Sequence, residues 1–199
     1  MPKTKLLLHA CCAPCSSGVV PQLIDTWDIT LLFYNPNINT EEEFNRRAKA
    51  MELYVKKFNK EFKSDIKLVI IPYEHDKFII GARGQETEPE GGKRCDYCIA
   101  MRLGFTAEYA KDNGYNTFAS TLSVSPHKNY KTINNIGEIL SEKYSVNYLP
   151  SNFKKNNGFL NSIRNSTKYG LYRQGYCGCE YALAIQQQKS AFDLPTTNG

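Results

Sequence analysis

Apolar positions along the chain fall into short continuous runs that alternate with longer segments of three-and-four spacing. Leu6-Leu7-Leu8-His9-Ala10 predicts a buried strand, running into a tight loop of Cys11-Cys12-Ala13-Pro14-Cys15. Ser16 to Ile24 suits a short helix, and Ile29 to Tyr34 is a β-rich run stopped by Asn35-Pro36-Asn37. Thr40 and Glu43 have the spacing of a capping box. Phe44, Ala48, Met51, Val55, Phe58 and Phe62 then recur at helical intervals, with Lys56, Lys57 and Lys60 near the end where the dipole favours cations. Ile66 to Tyr73 predicts a third strand, and Glu74 to Arg83 a short helix or turn. Gly84 to Lys93, with Glu86, Glu88 and Glu90, reads as a mobile polar loop. Ile99, Leu103, Ala107 and Ala110 define a helix ending at Gly114, and Asn116 to Val124 a fourth strand stopped by Ser125-Pro126-His127-Lys128. A helix carrying Ile133, Ile136, Ile139 and Leu140 and a fifth strand over Val146 to Leu149 follow, and Pro195 to Gly199 reads as a frayed tail. This alternation predicts an α/β fold, in which ligands sit at the carboxyl ends of the strands.

At 199 residues and 41% hydrophobic content the chain suits one domain with one well-filled core. A net charge of +5 and a pI of about 8.7 permit an anionic partner without demanding one. The stretch from Met1 to Lys5 leads into only three leucines, too few for a signal peptide or a membrane span, so a cytoplasmic, reducing setting is expected, with no membrane partner. Seven cysteines in such a setting point to metal or redox work, and their odd number argues against a closed disulfide set.

Those cysteines divide into Cys11, Cys12 and Cys15, then Cys95 and Cys98, then Cys177 and Cys179. Cys12-x-x-Cys15 and Cys95-x-x-Cys98 are the spacing of a shared tetrathiolate site, which suits zinc or an iron-sulfur cluster equally. Iron is favoured because the halves sit on a core strand end and a helix start rather than in a compact knuckle, and because two more thiols remain. Cys177-Gly178-Cys179 can close a strained, readily reduced disulfide or add two metal ligands. Residues 150–180 are basic, with Phe153, Phe159, Tyr169, Tyr172 and Tyr176 interleaved. Basic side chains there can hold phosphates while aromatic faces stack on unpaired bases, although the same composition suits an ordinary solvated face.

The chain resembles the QueH type of epoxyqueuosine reductase. The motifs are His9-x-Cys11-Cys12-Ala13-Pro14-Cys15, Tyr34-Asn35-Pro36-Asn37-Ile38, Arg94-Cys95-x-x-Cys98 with Arg102-Leu103 and Thr106-Ala107, Ser125-Pro126-x-Lys128, Phe153-Lys154-Lys155 and Tyr172-Arg173-Gln174-x-Tyr176-Cys177-Gly178-Cys179, in the family's order over nearly the whole chain. The resemblance implies a single-domain, Rossmann-like parallel sheet of the adenine-nucleotide α-hydrolase-like (HUP) type, with a helical or irregular basic C-terminal region. It implies a [4Fe-4S] cluster on Cys11, Cys12, Cys95 and Cys98 and a redox-active pair at Cys177 and Cys179; Cys15 is left as either a ligand of an adjacent mononuclear iron or a buried small hydrophobe, with Asp96 and His9 as candidate ligands for such an iron, although a lone histidine at a strand end is more often a hydrogen-bonded structural residue. The activity implied is reductive removal of the epoxide oxygen of epoxyqueuosine at the wobble position, giving queuosine in tRNAs for Asp, Asn, His and Tyr, with electrons from an unidentified donor. Lys154, Lys155 and Arg173 would then hold anticodon stem-loop phosphates. Asn152 departs from the pattern, standing where an aspartate is expected.

Two other readings compete with this one. A zinc-stabilised, non-catalytic tRNA- or RNA-binding module would be colourless and hold zinc. An ATP-dependent tRNA-modifying enzyme would need a Ser-Gly-Gly-x-Asp-Ser phosphate loop after the first strand, where Ala10 to Gly18 carries cysteines instead.

Overall fold

The computed structural model describes residues 3–192, so the tail expected at Pro195 to Gly199 lies outside the described residues. Strands β1 (Thr4–His9), β2 (Trp27–Phe33), β3 (Lys67–Ile70), β4 (Thr117–Ser120) and β5 (Asn147–Tyr148) form one parallel sheet in the order β3-β2-β1-β4-β5. A parallel sheet is covered on both faces, which is why Leu6, Leu7 and Leu8 follow one another without a polar break and all reach 0% exposure. Successive side chains point to opposite faces. Leu6 and Leu8 therefore join a core with Val19, Met51, Tyr54 and Phe58, and Leu7 joins another with Leu103, Ala107, Phe118 and Ile133.

Helix α1 (Ala13–Leu23) begins three residues earlier than the sequence predicts. Pro14 lies in its first turn, where a missing N–H and a fixed φ cost nothing, so the proline starts a helix rather than breaking a loop. Helix α2 (Glu41–Phe62) starts at Thr40, whose hydroxyl accepts from the Glu43 N–H at 3.2 Å. The reciprocal half of the capping box is not made, because the Glu43 carboxylate accepts from Arg47 Nε at 2.7 Å and from the Tyr172 hydroxyl. Helices α3 (His75–Ala82), α4 (Lys93–Asp112) and α5 (Tyr130–Tyr144) match expectation closely. The fourth strand is shorter than predicted: after Ser120 the chain turns into a 3-10 helix, Thr121–Val124, whose Leu122 N–H is held by Ser120 Oγ at 3.2 Å.

Two further helices, α6 (Gly158–Tyr169) and α7 (Glu180–Phe192), occupy the basic C-terminal region. Helix α6 lies directly on α1. A Cβ at Gly18 would stand 2.4 Å from the Gly158 carbonyl oxygen, so glycine there sets how closely the two helices approach. No helix among the described residues is long and apolar enough to cross a membrane.

Candidate metal and substrate site

The strand order reverses between β1 and β4, and loops leaving the carboxyl ends of those two strands diverge to open a crevice. Both strand ends contribute to it. The Cys11 N–H donates to Thr121 Oγ1 at 3.1 Å, and the Thr121 hydroxyl donates to Cys11 Sγ at 3.2 Å. Cys12 caps α1, its sulfur accepting from the Cys15 N–H at 3.4 Å. The sulfurs of Cys11, Cys12 and Cys15 all lie within 4.8 Å of one another, with Cys11 and Cys12 3.9 Å apart. Adjacent residues achieve this because the extended Cys12 backbone (φ −171°) is followed at once by the helix, turning the loop between them.

Hydrogen bonds from Cys11 and Cys15 and the N–H at the helix start hold the Cys12 thiol well below its usual range. Its neighbours move the other way: Cys11 is pushed up to about 12 by its hydrogen bond with Cys12 and by burial, against a lowering contact with Cys15, and Cys15 upward by the Cys11 and Cys12 sulfurs and by burial. Soft sulfur donors in such proximity suit a thiophilic metal centre, and no carboxylate or imidazole belongs to this group of three.

The other four thiols border a small adjoining cavity of about 20 Å³. Helix α4 supplies Cys95 and Cys98 from its first turns, and the loop before α7 supplies Cys177 and Cys179. Burial pushes Cys98 up to about 11. A larger cavity of about 410 Å³ opens beside it, bordered by Cys11, Cys12, Cys15, Cys177, Phe159 and Arg173 among others. Cys177, Arg102, Lys128 and Glu90 border both cavities. Cys177 and Cys179 are free thiols, and the turn between them needs glycine: Gly178 has φ +135°, and a Cβ there would come within 2.9 Å of Asn37 Nδ2. Arg47 holds this turn to α2, donating from Nη1 to the Cys177 carbonyl at 3.1 Å and lying over the Tyr176 ring at 5.1 Å.

Among the residues singled out from sequence, His9 is not available to a metal. It is fully buried, its Nε2 faces the Tyr34 carbonyl at 3.1 Å and its Nδ1 faces Ser120 Oγ at 3.0 Å, so the neutral ring donates to the one and accepts from the other. Burial and the Arg102 charge depress its pKa to about 3. Asp96 is exposed and borders neither cavity. Lys155 and Arg173 are exposed, Arg173 with Nη1 on Ser166 Oγ at 3.1 Å, whereas Lys154 turns inward to the Lys128 carbonyl at 2.7 Å. Of the five aromatic residues proposed to stack on bases, Phe153 and Tyr169 are buried. Tyr172 and Tyr176 spend their hydroxyls on Glu43 and Asn39, and the exposed Phe159 borders the larger cavity together with Tyr176, whose ring lies against Arg47. Asn152 keeps a buried Oδ1 without a partner among the described residues.

Two residues that the motifs contain turn out to be buried cations of the site. Arg102, 2% exposed, donates to the Cys98 carbonyl and to Asn35 Oδ1, both at 3.3 Å, and makes no ion pair with a carboxylate among the described residues. Lys128, 9% exposed, has Glu90 Oε1 at 3.7 Å. Burial would lower its pKa, yet the thiol charges of Cys177, Cys95 and Cys98 raise it overall. Their presence in the Arg102-Leu103 and Ser125-Pro126-x-Lys128 motifs is the only sequence signal.

A Rossmann-like parallel sheet whose switch point is lined by seven thiols and three buried cations, Arg94, Arg102 and Lys128, defines an α/β protein with a thiol-rich chamber open to a ligand from the larger cavity. Residues 6–184 match the family described as epoxyqueuosine reductase QueH. The chain is 42% identical to the epoxyqueuosine reductase QueH of Streptococcus pyogenes serotype M1 over 92% of its own length and 72% of the relative's. It is 34% identical to that of Thermotoga maritima, covering 94% of each chain. This protein belongs to the QueH epoxyqueuosine reductase family. Among solved structures, the U34-tRNA thiolase NcsA from Methanococcus maripaludis, described with its [4Fe-4S] cluster, aligns with a TM-score of 0.52 at 14% identity, over 96% of this chain and 66% of that one. The likeness shows the fold, a parallel α/β sheet with helices on both faces.

Proposed function

We propose that this protein reduces epoxyqueuosine at the tRNA wobble position to queuosine, removing the epoxide oxygen as water. The observation that carries the reading is the convergence of all seven cysteines on two adjoining cavities at the switch point of a chain in this family. In this reading Cys11, Cys12, Cys95 and Cys98 hold a [4Fe-4S] cluster, Cys15 holds a mononuclear iron beside it, and Cys177 with Cys179 cycles between dithiol and disulfide. The donor set supports it: three sulfurs within 4.8 Å, four more across the shared wall, and the buried charges of Arg102 and Lys128 to offset an anionic thiolate assembly. A bound cluster supplies electrons one at a time, delivered by an external donor.

The chain's own groups do the rest. Exposed Lys155 and Arg173, with Lys154 behind them, attract the phosphates of an anticodon stem-loop from tRNAs for Asp, Asn, His and Tyr, a cytoplasmic substrate. Phe159 offers a face to an unpaired base at the cavity mouth. Arg47 holds the Tyr176–Cys177 backbone so that the second thiol pair stays against the first. The test is anaerobic purification with iron and sulfide analysis, followed by incubation of epoxyqueuosine tRNA with a strong reductant. Conversion to queuosine is expected. Unchanged tRNA, or a colourless zinc protein, overturns the reading, and Cys15→Ser losing the whole cluster while Cys11→Ser keeps it overturns the ligand assignment.

A further inference from the structure

Turning an epoxide into an alkene breaks two C–O bonds and forms one C=C bond. It takes up two electrons and two protons and releases one water. The reductant required by the activity supplies the electrons, but the protons must be delivered at the oxygen, because an oxyanion formed in a buried site without a donor is costly. Few groups around the thiols can do this. Arg102 and Arg94 border the small cavity but do not give up protons. His9 is sealed behind its two hydrogen bonds, and the Tyr176 hydroxyl is donated to Asn39 at 2.7 Å.

His127 borders the larger cavity but not the smaller, thiol-lined one, whereas Lys128 borders both. It stands in the wall common to both cavities, where the thiols and the larger substrate space meet. Its backbone is pinned on both sides: its N–H donates to the Ser125 carbonyl at 3.3 Å, and its own carbonyl accepts from Lys154 Nζ at 2.7 Å. Its charge is loosely matched, with Glu90 Oε1 at 3.7 Å and Arg102 beside it without a carboxylate. Lys128 and Arg102, with the buried Arg94 of the small cavity, face one lining carboxylate, Glu90, an excess of positive charge that favours a ligand developing negative charge there, as an opening epoxide does.

We propose that Lys128 Nζ is the catalytic acid that protonates the departing epoxide oxygen, and that Glu90 returns protons to it from solvent. This rests on the reductase reading above. As the first C–O bond opens, the oxygen becomes an alkoxide, a stronger base than an amine, so the transfer from Nζ runs downhill. Glu90 is 42% exposed at its side chain and borders both cavities, so it reaches solvent and the lysine alike. A second transfer along the same pair completes the water.

The test uses the full chain, purified anaerobically with its iron, and an anticodon stem-loop carrying epoxyqueuosine. Single-turnover conversion, stem-loop affinity, and iron and sulfide content are measured separately. Lys128→Met and Lys128→Arg are both expected to convert about 100-fold more slowly or worse, with affinity and metal content within a few fold of wild type. The arginine variant decides between charge and proton, since it keeps the cation but does not release the proton. Glu90→Gln is expected to slow turnover and enlarge the solvent deuterium isotope effect. Wild-type conversion by Lys128→Arg overturns the proposal, as does loss of iron from both lysine variants, or a loss of rate in His127→Asn in place of Lys128. Failure of the wild type to convert the epoxide marks failure of the reductase reading, and the assignment falls with it.

Discussion

Replacing Arg47 with methionine removes a side chain that ties α2 to the C-terminal thiol turn. Its guanidinium is 2% exposed and serves three partners: Glu43 Oε1 at 2.7 Å, the Cys177 carbonyl at 3.1 Å and the Tyr176 carbonyl at 3.5 Å. Methionine fills much of the volume but leaves the Glu43 carboxylate, 8% exposed, with the Tyr172 hydroxyl and the more distant Arg46 as its remaining partners. Removing one member of a buried ion pair costs about 3–5 kcal/mol, most of it from the stranded charge. For a chain of this length that is on the order of 10 °C in melting temperature. The sign of a second change follows from the same geometry. In the double variant Arg47→Met with Glu43→Gln the stranded charge is gone, so the loss shrinks to about 1–2 kcal/mol for the hydrogen bonds that remain broken. Both values come from denaturant unfolding of the metal-free protein under reducing conditions. A parallel readout is the rate at which an aromatic disulfide reagent labels Cys177, which rises in Arg47→Met as the turn loosens. If Arg47→Met costs less than about 1 kcal/mol and Cys177 labels at the wild-type rate, the turn is held by something else and the reasoning is refuted.

Gly18→Val should lose at least about 3 kcal/mol in the same unfolding assay, because its Cβ alone meets the Gly158 carbonyl oxygen at 2.4 Å and a backbone atom cannot swing aside. Phe159→Ala is expected to weaken anticodon stem-loop binding by about 1–3 kcal/mol while Tyr172→Phe leaves it within about twofold, as read by fluorescence titration. Lys155→Ala should weaken binding of every stem-loop sequence alike and lower the slope of log affinity against log salt by about one, a titration that an unchanged slope would contradict.

The strands and the amphipathic helices were legible because their signals are local. Three consecutive leucines give away β1, and Thr40 with Glu43 gives away the start of α2 even though Glu43 serves another helix-loop contact in the fold. Helix α6 was not legible, for a physical reason. The residues it buries include Gly158, Ser162 and Ser166, which pack closely on Ser17 and Gly18 of α1, so the face that matters is small and polar rather than apolar. The end of β4 was misjudged because Thr121, Leu122 and Val124 are good strand formers, yet the chain must leave the sheet at Ser120 to set Thr121 on Cys11. Thiol motifs announced the site, but the buried cations did not: Arg102 and Lys128 look like surface charges until the sulfurs around them are in place.

The contact between Thr121 and Cys11 joins residues 110 positions apart, and that separation has a kinetic meaning. Parallel sheets close late, since distant strands must find each other before any contact rewards the search. Cys11, Cys12 and Cys15 belong to one strand-to-helix turn and come within reach of one another as soon as that local unit forms. Cys95 and Cys98 arrive only with α4, and Cys177 and Cys179 only with the segment that leads into α7. Order of synthesis therefore meters the thiols out: a metal ion encountered early meets a three-sulfur triad, and the chamber with its buried cations closes only after all three thiol-bearing segments have been made.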